Sequence, residues 1–97
     1  MYARMVTFQV KPDKLADARA RLEQLAPDVT KKIKGLREFI SLVRDDGKVV
    51  NLSIFDTQSD AYASVPRVMQ VREQFADMLA SRPTPEEFEV LVHERIK

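Results

Sequence analysis

The sequence contains no cysteine, no tryptophan, one histidine and only two glycines in 97 residues. Without cysteine there can be no disulfide, thiolate metal site or cysteine nucleophile. A single histidine among scattered carboxylates offers no metal-ligand spacing, and no Ser-His-acid arrangement can be drawn. Two glycines cannot build a phosphate-cradling loop. Neither sign of charge dominates: 16 Lys and Arg face 15 Asp and Glu, for a formal net charge of +1. No basic block is present, so neither nucleic acid nor a membrane surface is expected as a partner. No apolar run approaches membrane-spanning length. The opening MYARMVTFQV alternates like a strand and lacks the apolar core of a signal peptide, so the sequence reads as cytoplasmic.

What is present is a set of clear periodicities. Residues 2–10 alternate, with Tyr2, Arg4, Val6, Phe8 and Val10 on one face and Ala3, Met5, Thr7 and Gln9 on the other, as a strand requires. Lys11-Pro12-Asp13 then starts a helix, since proline suits the first helical turn and an acidic residue its positive end. Leu15, Ala18, Leu22, Leu25, Val29 and Ile33 form its buried stripe. Pro27, which lacks an N–H, should kink or restart that helix, and Gly35 should stop it. Thr57 with Asp60 resembles a capping box opening a second helical region, with Ala61, Tyr62 and Val65 as its first apolar stripe. Pro66 breaks it, and a second segment carries Val68, Phe75, Met78 and Leu79 inward, with Val71 and Arg72 near the stripe edge. The last strand is expected over residues 87–96.

The stretch from Asp45 to Ser64 organises the rest. In residues 48–56, Val50, Leu52 and Ile54 share one strand face and Val49, Asn51, Ser53 and Phe55 the other. A two-residue Asp46-Gly47 loop would mix polar and apolar residues on both faces of the hairpin. A three-residue Asp45-Asp46-Gly47 loop, with Gly47 left-handed, pairs Leu42 with Val50 and Ile40 with Leu52 and leaves one face wholly apolar. The three-residue loop is therefore expected.

The order βαββαβ makes one α+β domain across residues 1–97. It predicts a ferredoxin-like antiparallel sheet, strand order 4-1-3-2, with two helices on one face. Both faces of the central hairpin carry large apolar residues, yet the helices cover one. A twin chain is the simplest cover for the other, as a two-fold homodimer.

MYARMVTFQVKPDKL, Gly35, the RDDGK turn, NLSIFDTQSDAYAS and PTPEEFEV, in this order and spacing, resemble the dimeric α+β barrel family of antibiotic biosynthesis monooxygenases over nearly the whole chain. The resemblance implies a dimeric α/β barrel and a pocket between sheet and helices. It also implies cofactor-free oxygenation of a quinol- or anthrone-type aromatic. In the oxygenases an Asn and a Trp four residues apart on the third strand face that pocket. Asn51 and Phe55 hold the matching positions here, with the indole N–H lost. Haem-degrading relatives carry a histidine ligand on the second helix, and residues 64–70 have none, which argues against haem.

The candidate pocket residues are thus Asn51, Phe55 and Tyr62. Asn51 could bond a ligand oxygen or satisfy Ser41 or Ser53, since buried polar groups need partners. Phe55 could stack on a substrate or anchor the core, and Tyr62 could donate a proton or merely pack its ring. His93 could be a general base, but it shares a strand face with Glu89 and Arg95, which suits a solvated rim. Arg67 and Arg4 could hold an anion or serve as structural charges. Catalytic residues are otherwise unassigned, with no cofactor or metal site. RNA binding would need exposed rings on strands one and three, where KVVNLSIF offers aliphatics. Two readings follow: a cofactor-independent monooxygenase-like enzyme, or a non-catalytic dimeric ligand-binding or stress-associated module.

Overall fold

The computed structural model describes residues 1–96. Four strands, β1 (Tyr2–Gln9), β2 (Leu36–Val43), β3 (Lys48–Phe55) and β4 (Thr84–Glu89), form one antiparallel sheet in the order β2-β3-β1-β4. This is the expected ferredoxin-like order. Helix α1 (Leu15–Lys31), preceded by a 3-10 turn at Pro12–Lys14, follows β1, and α2 (Gln58–Ala63) and α3 (Val65–Glu73) follow β3. Among the described residues no helix is long and apolar enough to cross a membrane.

The hairpin adopts the three-residue loop. Leu42 pairs with Val50 and Ile40 with Leu52, and Gly47 takes φ +89°. A Cβ there would lie 2.6 Å from the Val10 carbonyl oxygen, so only glycine fits both the turn and its neighbour. Thr57 caps α2, its Oγ1 accepting from the Asp60 N–H at 3.1 Å, and Pro66 sits in the first turn of α3. There its missing N–H costs nothing.

Four local expectations are corrected. Helix α1 runs unbroken across Pro27. Pro27 and Glu23 are both exposed, so water can satisfy the Glu23 carbonyl that the proline leaves free, and the Thr30 hydroxyl donates to the Ala26 carbonyl at 2.8 Å. The helix also ends at Lys31, before Gly35. Gly35, with φ +76°, instead shapes the turn into β2, and its carbonyl accepts from the Asp56 N–H at 2.9 Å. Tyr62 and Val65 are exposed rather than part of a buried stripe, and Ala61 alone of the three is buried. Finally, β4 spans Thr84–Glu89 instead of residues 87–96. Proline is tolerated within it at Pro85 because an edge strand can leave one N–H position unused.

Beyond β4 the chain turns back along the end of the sheet. The Val90 N–H donates to the Met1 carbonyl at 3.1 Å, and His93 Nε2 lies 3.0 Å from Glu38 Oε1 on β2. His93 therefore has a cross-sheet carboxylate partner rather than Glu89 and Arg95 as strand neighbours. Leu91, Val92 and Ile96 in this segment are exposed.

The register sorts the sheet into two faces. Arg4, Val6, Phe8, Asn51, Ser53, Phe55 and Phe39 lie towards the helices, and Met5, Leu52, Ile40 and Leu42 lie on the opposite, open face. Under the helices the core divides in two. One cluster joins Val10, Ala18, Val49, Phe75 and Met78, and the other joins Tyr2, Phe55 and Ala61 with Ile33 and Leu36 against them. The space between them is incompletely filled.

Candidate functional site

Between the two core clusters lies a cavity of about 130 Å³, bounded by the helix side of the sheet, by α1 and by α3. Its floor is Val6, Asn51 and Ser53; its walls include Leu22, Leu25 and Ala26 from α1 and Val68, Val71, Arg72 and Phe75 from α3 and the turn after it. Ser53 on the sheet and Ala26 on α1 are the short side chains in this lining. Apolar walls with a few polar groups are the usual make-up of a small-molecule site.

Two grooves on the β2 side adjoin the cavity, and Ala26 on α1 and Phe39 on β2 line all three spaces. These two residues therefore stand where the interior meets the surface.

Asn51 is half-buried on the cavity floor. Its cross-strand partner Ser41 donates from Oγ to Asn51 Oδ1 at 2.6 Å. In this arrangement the Asn51 NH2 makes no side-chain hydrogen bond among the described residues. Phe55 borders the cavity but is 1% exposed, and the Arg4 guanidinium lies 5.6 Å above its ring centroid. Its ring is thus both core and wall. Tyr62 is not brought to the cavity: it is 54% exposed, sets its ring edge-on to Tyr2 at 6.2 Å, and its hydroxyl accepts from Gln58 Nε2 at 2.9 Å.

Arg4 reaches the same cavity, with each of its three guanidinium nitrogens already bonded. It pairs with Glu87 at 2.9 Å, and its terminal nitrogens donate to Ser64 Oγ at 3.2 Å and the Ala61 carbonyl at 2.9 Å. Buried guanidinium groups persist when paired and bonded in this way. Arg4 ties β1 to β4 and to α2. Arg67 does not line the cavity, and its Nε is buried without a hydrogen-bond partner. His93 lies away from the cavity against Glu38.

Arg72 was not singled out as a site residue from the sequence, where it stands at the edge of the α3 stripe. The structure places it in the cavity lining, and among the described residues no carboxylate lies within ion-pair distance of it. Its signal was available: it follows Val68 by four residues, which puts both on one helix face. Among the described residues no group of three or more His, Asp or Glu is placed to hold a metal ion.

The chain is thus a ferredoxin-like α+β domain with a mainly apolar cavity between sheet and helices, an architecture shared by several protein families. Of these, the model of the antibiotic biosynthesis monooxygenase family matches residues 1–67, and the chain belongs to that family. A search of curated proteins finds no match. Among solved structures, a protein of unknown function from Nitrosomonas europaea superposes with a TM-score of 0.84 at 18% identity, covering 99% of this chain and 94% of that one. A Streptomyces coelicolor monooxygenase in complex with nanaomycin D gives 0.77 at 16% identity, covering 99% and 92%. A Mycobacterium tuberculosis protein gives 0.76 at 18%, covering 97% and 98%. At these identities the likeness is one of fold.

Proposed function

We propose that this chain takes a small aromatic compound into the cavity above Asn51 and oxygenates it as a cofactor-independent monooxygenase. The observation that carries this reading is the mainly apolar space with Asn51 on its floor and Arg72 in its lining. Membership of the family supports it, as does a structural neighbour in complex with nanaomycin D. In the reaction envisaged, an electron-rich ring CH2 and dioxygen give a ring carbonyl and water. The substrate supplies all four electrons, so neither haem nor another cofactor enters the balance. The protein would contribute shape, exclusion of water and donors that stabilise a developing oxyanion.

One observation favours a second reading, a non-catalytic ligand-binding module. Phe55 lacks the indole N–H of the oxygenases, and the Tyr62 hydroxyl is directed at Gln58 outside the cavity. Oxygen uptake with a panel of anthrones and quinols separates the two. The enzyme reading expects uptake by the native chain and its loss in Asn51→Ala. No uptake, with a ligand retained in native mass spectrometry, would establish the binding module instead.

A homodimer belongs to either reading. Ile40 is 42% and Leu42 55% exposed on the open face of the sheet, with Leu52 and Met5 beside them. Sheet-to-sheet pairing about a two-fold axis would bury this face. The same native spectra count the subunits.

A further inference from the structure

The polar groups facing the cavity are unequal in what they can still accept. Asn51 Oδ1 already accepts from Ser41, while among the described residues its NH2 makes no side-chain hydrogen bond, so the NH2 is the fully open end it offers a ligand. Arg4 has spent its guanidinium on Glu87, Ser64 and Ala61. Arg72 lines the same space with no carboxylate within ion-pair distance among the described residues. The free groups of Asn51 and Arg72 are thus both donors, one of them a full positive charge. A cation beside an apolar cavity is held at a desolvation cost that an anion would offset.

We propose that the ligand is an anion: a ring carrying a carboxylate or phenolate whose oxygens are held by Arg72 and the Asn51 NH2. Size narrows it further. A space of about 130 Å³ is near that of engineered apolar cavities of roughly 150 Å³ that admit benzene. One ring is enclosed, and any further ring must lie in the groove past Phe39 and Ala26. The charged group then sits at the α3 wall and the extended part at the β2 edge. This assignment rests on the cavity being the ligand site, as proposed above.

Isothermal titration of the full chain with benzoate and with benzamide tests it. These probes share one ring and differ in charge. Benzoate should bind at least tenfold more tightly than benzamide. Arg72→Gln should abolish that preference, and Arg72→Lys should restore part of it, since lysine keeps the charge without the bidentate fork. Thermal unfolding of each variant reports whether it is folded. Equal binding of the two probes by the native chain, or benzoate binding unaltered in Arg72→Gln, would overturn the anion assignment and leave the cavity reading standing. Failure of both probes and of their naphthalene counterparts to bind would overturn both.

Discussion

Ser41 and Asn51 face each other across the β2–β3 ladder, and the serine hydroxyl holds the amide oxygen at 2.6 Å. In that arrangement the amide NH2 is the open end, the one the proposed ligand would meet. Removing the serine hydroxyl frees the amide to turn. Ser41→Ala is therefore expected to weaken ligand binding or turnover by a few-fold, and Asn51→Ala by about ten- to a hundredfold, since a hydrogen bond to a charged group contributes roughly 1.5–3 kcal/mol. Titration of both variants with one ligand checks the order. A larger loss in Ser41→Ala than in Asn51→Ala would show that the amide is not the contacting group.

Arg4 predicts a stability effect rather than a catalytic one. It is 6% exposed and joins three elements. Arg4→Met should cost roughly 2–4 kcal/mol, because buried acceptors lose their donor and Glu87 its partner. Glu87→Gln should cost less, since the Glu87 side chain is about one-third exposed and water can replace part of the pairing. Urea unfolding measures both. A change below about 0.5 kcal/mol in Arg4→Met, as at ordinary surface sites, would show that the network does not hold the fold.

The hairpin loop gives a pH prediction. The Asp46 carboxylate accepts from Arg44 at 2.7 Å and from the Lys48 N–H at 3.1 Å. The Arg44 bond first, and the Lys48 bond second, lower its pKa from 3.8 to about 2. Since the folded value lies below the unfolded one, the contribution to stability is present above the unfolded value and complete by about pH 5. It is lost as the pH falls towards 2. Asp46→Asn should remove that part of the acid dependence and lower stability above pH 5. Carboxyl NMR titration, with unfolding midpoints between pH 2 and 6, tests this. An Asp46 titration midpoint near 4 would contradict it.

The exposed Ile40 and Leu42 predict the oligomer. Burying one such side chain contributes about 1.5–3 kcal/mol, more than an exposed ion pair of about 0–1 kcal/mol. Leu42→Lys should therefore shift a dimer to single chains in sedimentation at micromolar concentration. A native chain that sediments as a monomer and binds no hydrophobic dye would count against the proposed pairing.

Much of the architecture was legible because its causes are local. Period-2 alternation marks β1 and β3, the three-residue loop follows from keeping Leu42 and Ile40 on one face with Val50 and Leu52, and crossover handedness orders the strands. Of the four local signals that misled, two show the reason most plainly. Pro27 has the chemistry of a helix breaker, but on an exposed face the cost is met by water. Residues 90–96 alternate as a strand would, but β4 starts earlier and pairs with β1 only through Glu89.

The sequence by itself determined the order of the strands and helices, the hairpin register, the strand order in the sheet and, through the resemblance to the family, Asn51 as a pocket candidate. Only the tertiary structure decided that Arg4 is consumed by partners as far as 83 residues away, that Tyr62 points outward, and that Arg72 borders the cavity. Alternation and turn chemistry act between neighbours in the chain. Which side chain finds a partner, and which is left free beside a cavity, depends on how helices and sheet settle against one another. No short stretch of sequence contains that distance.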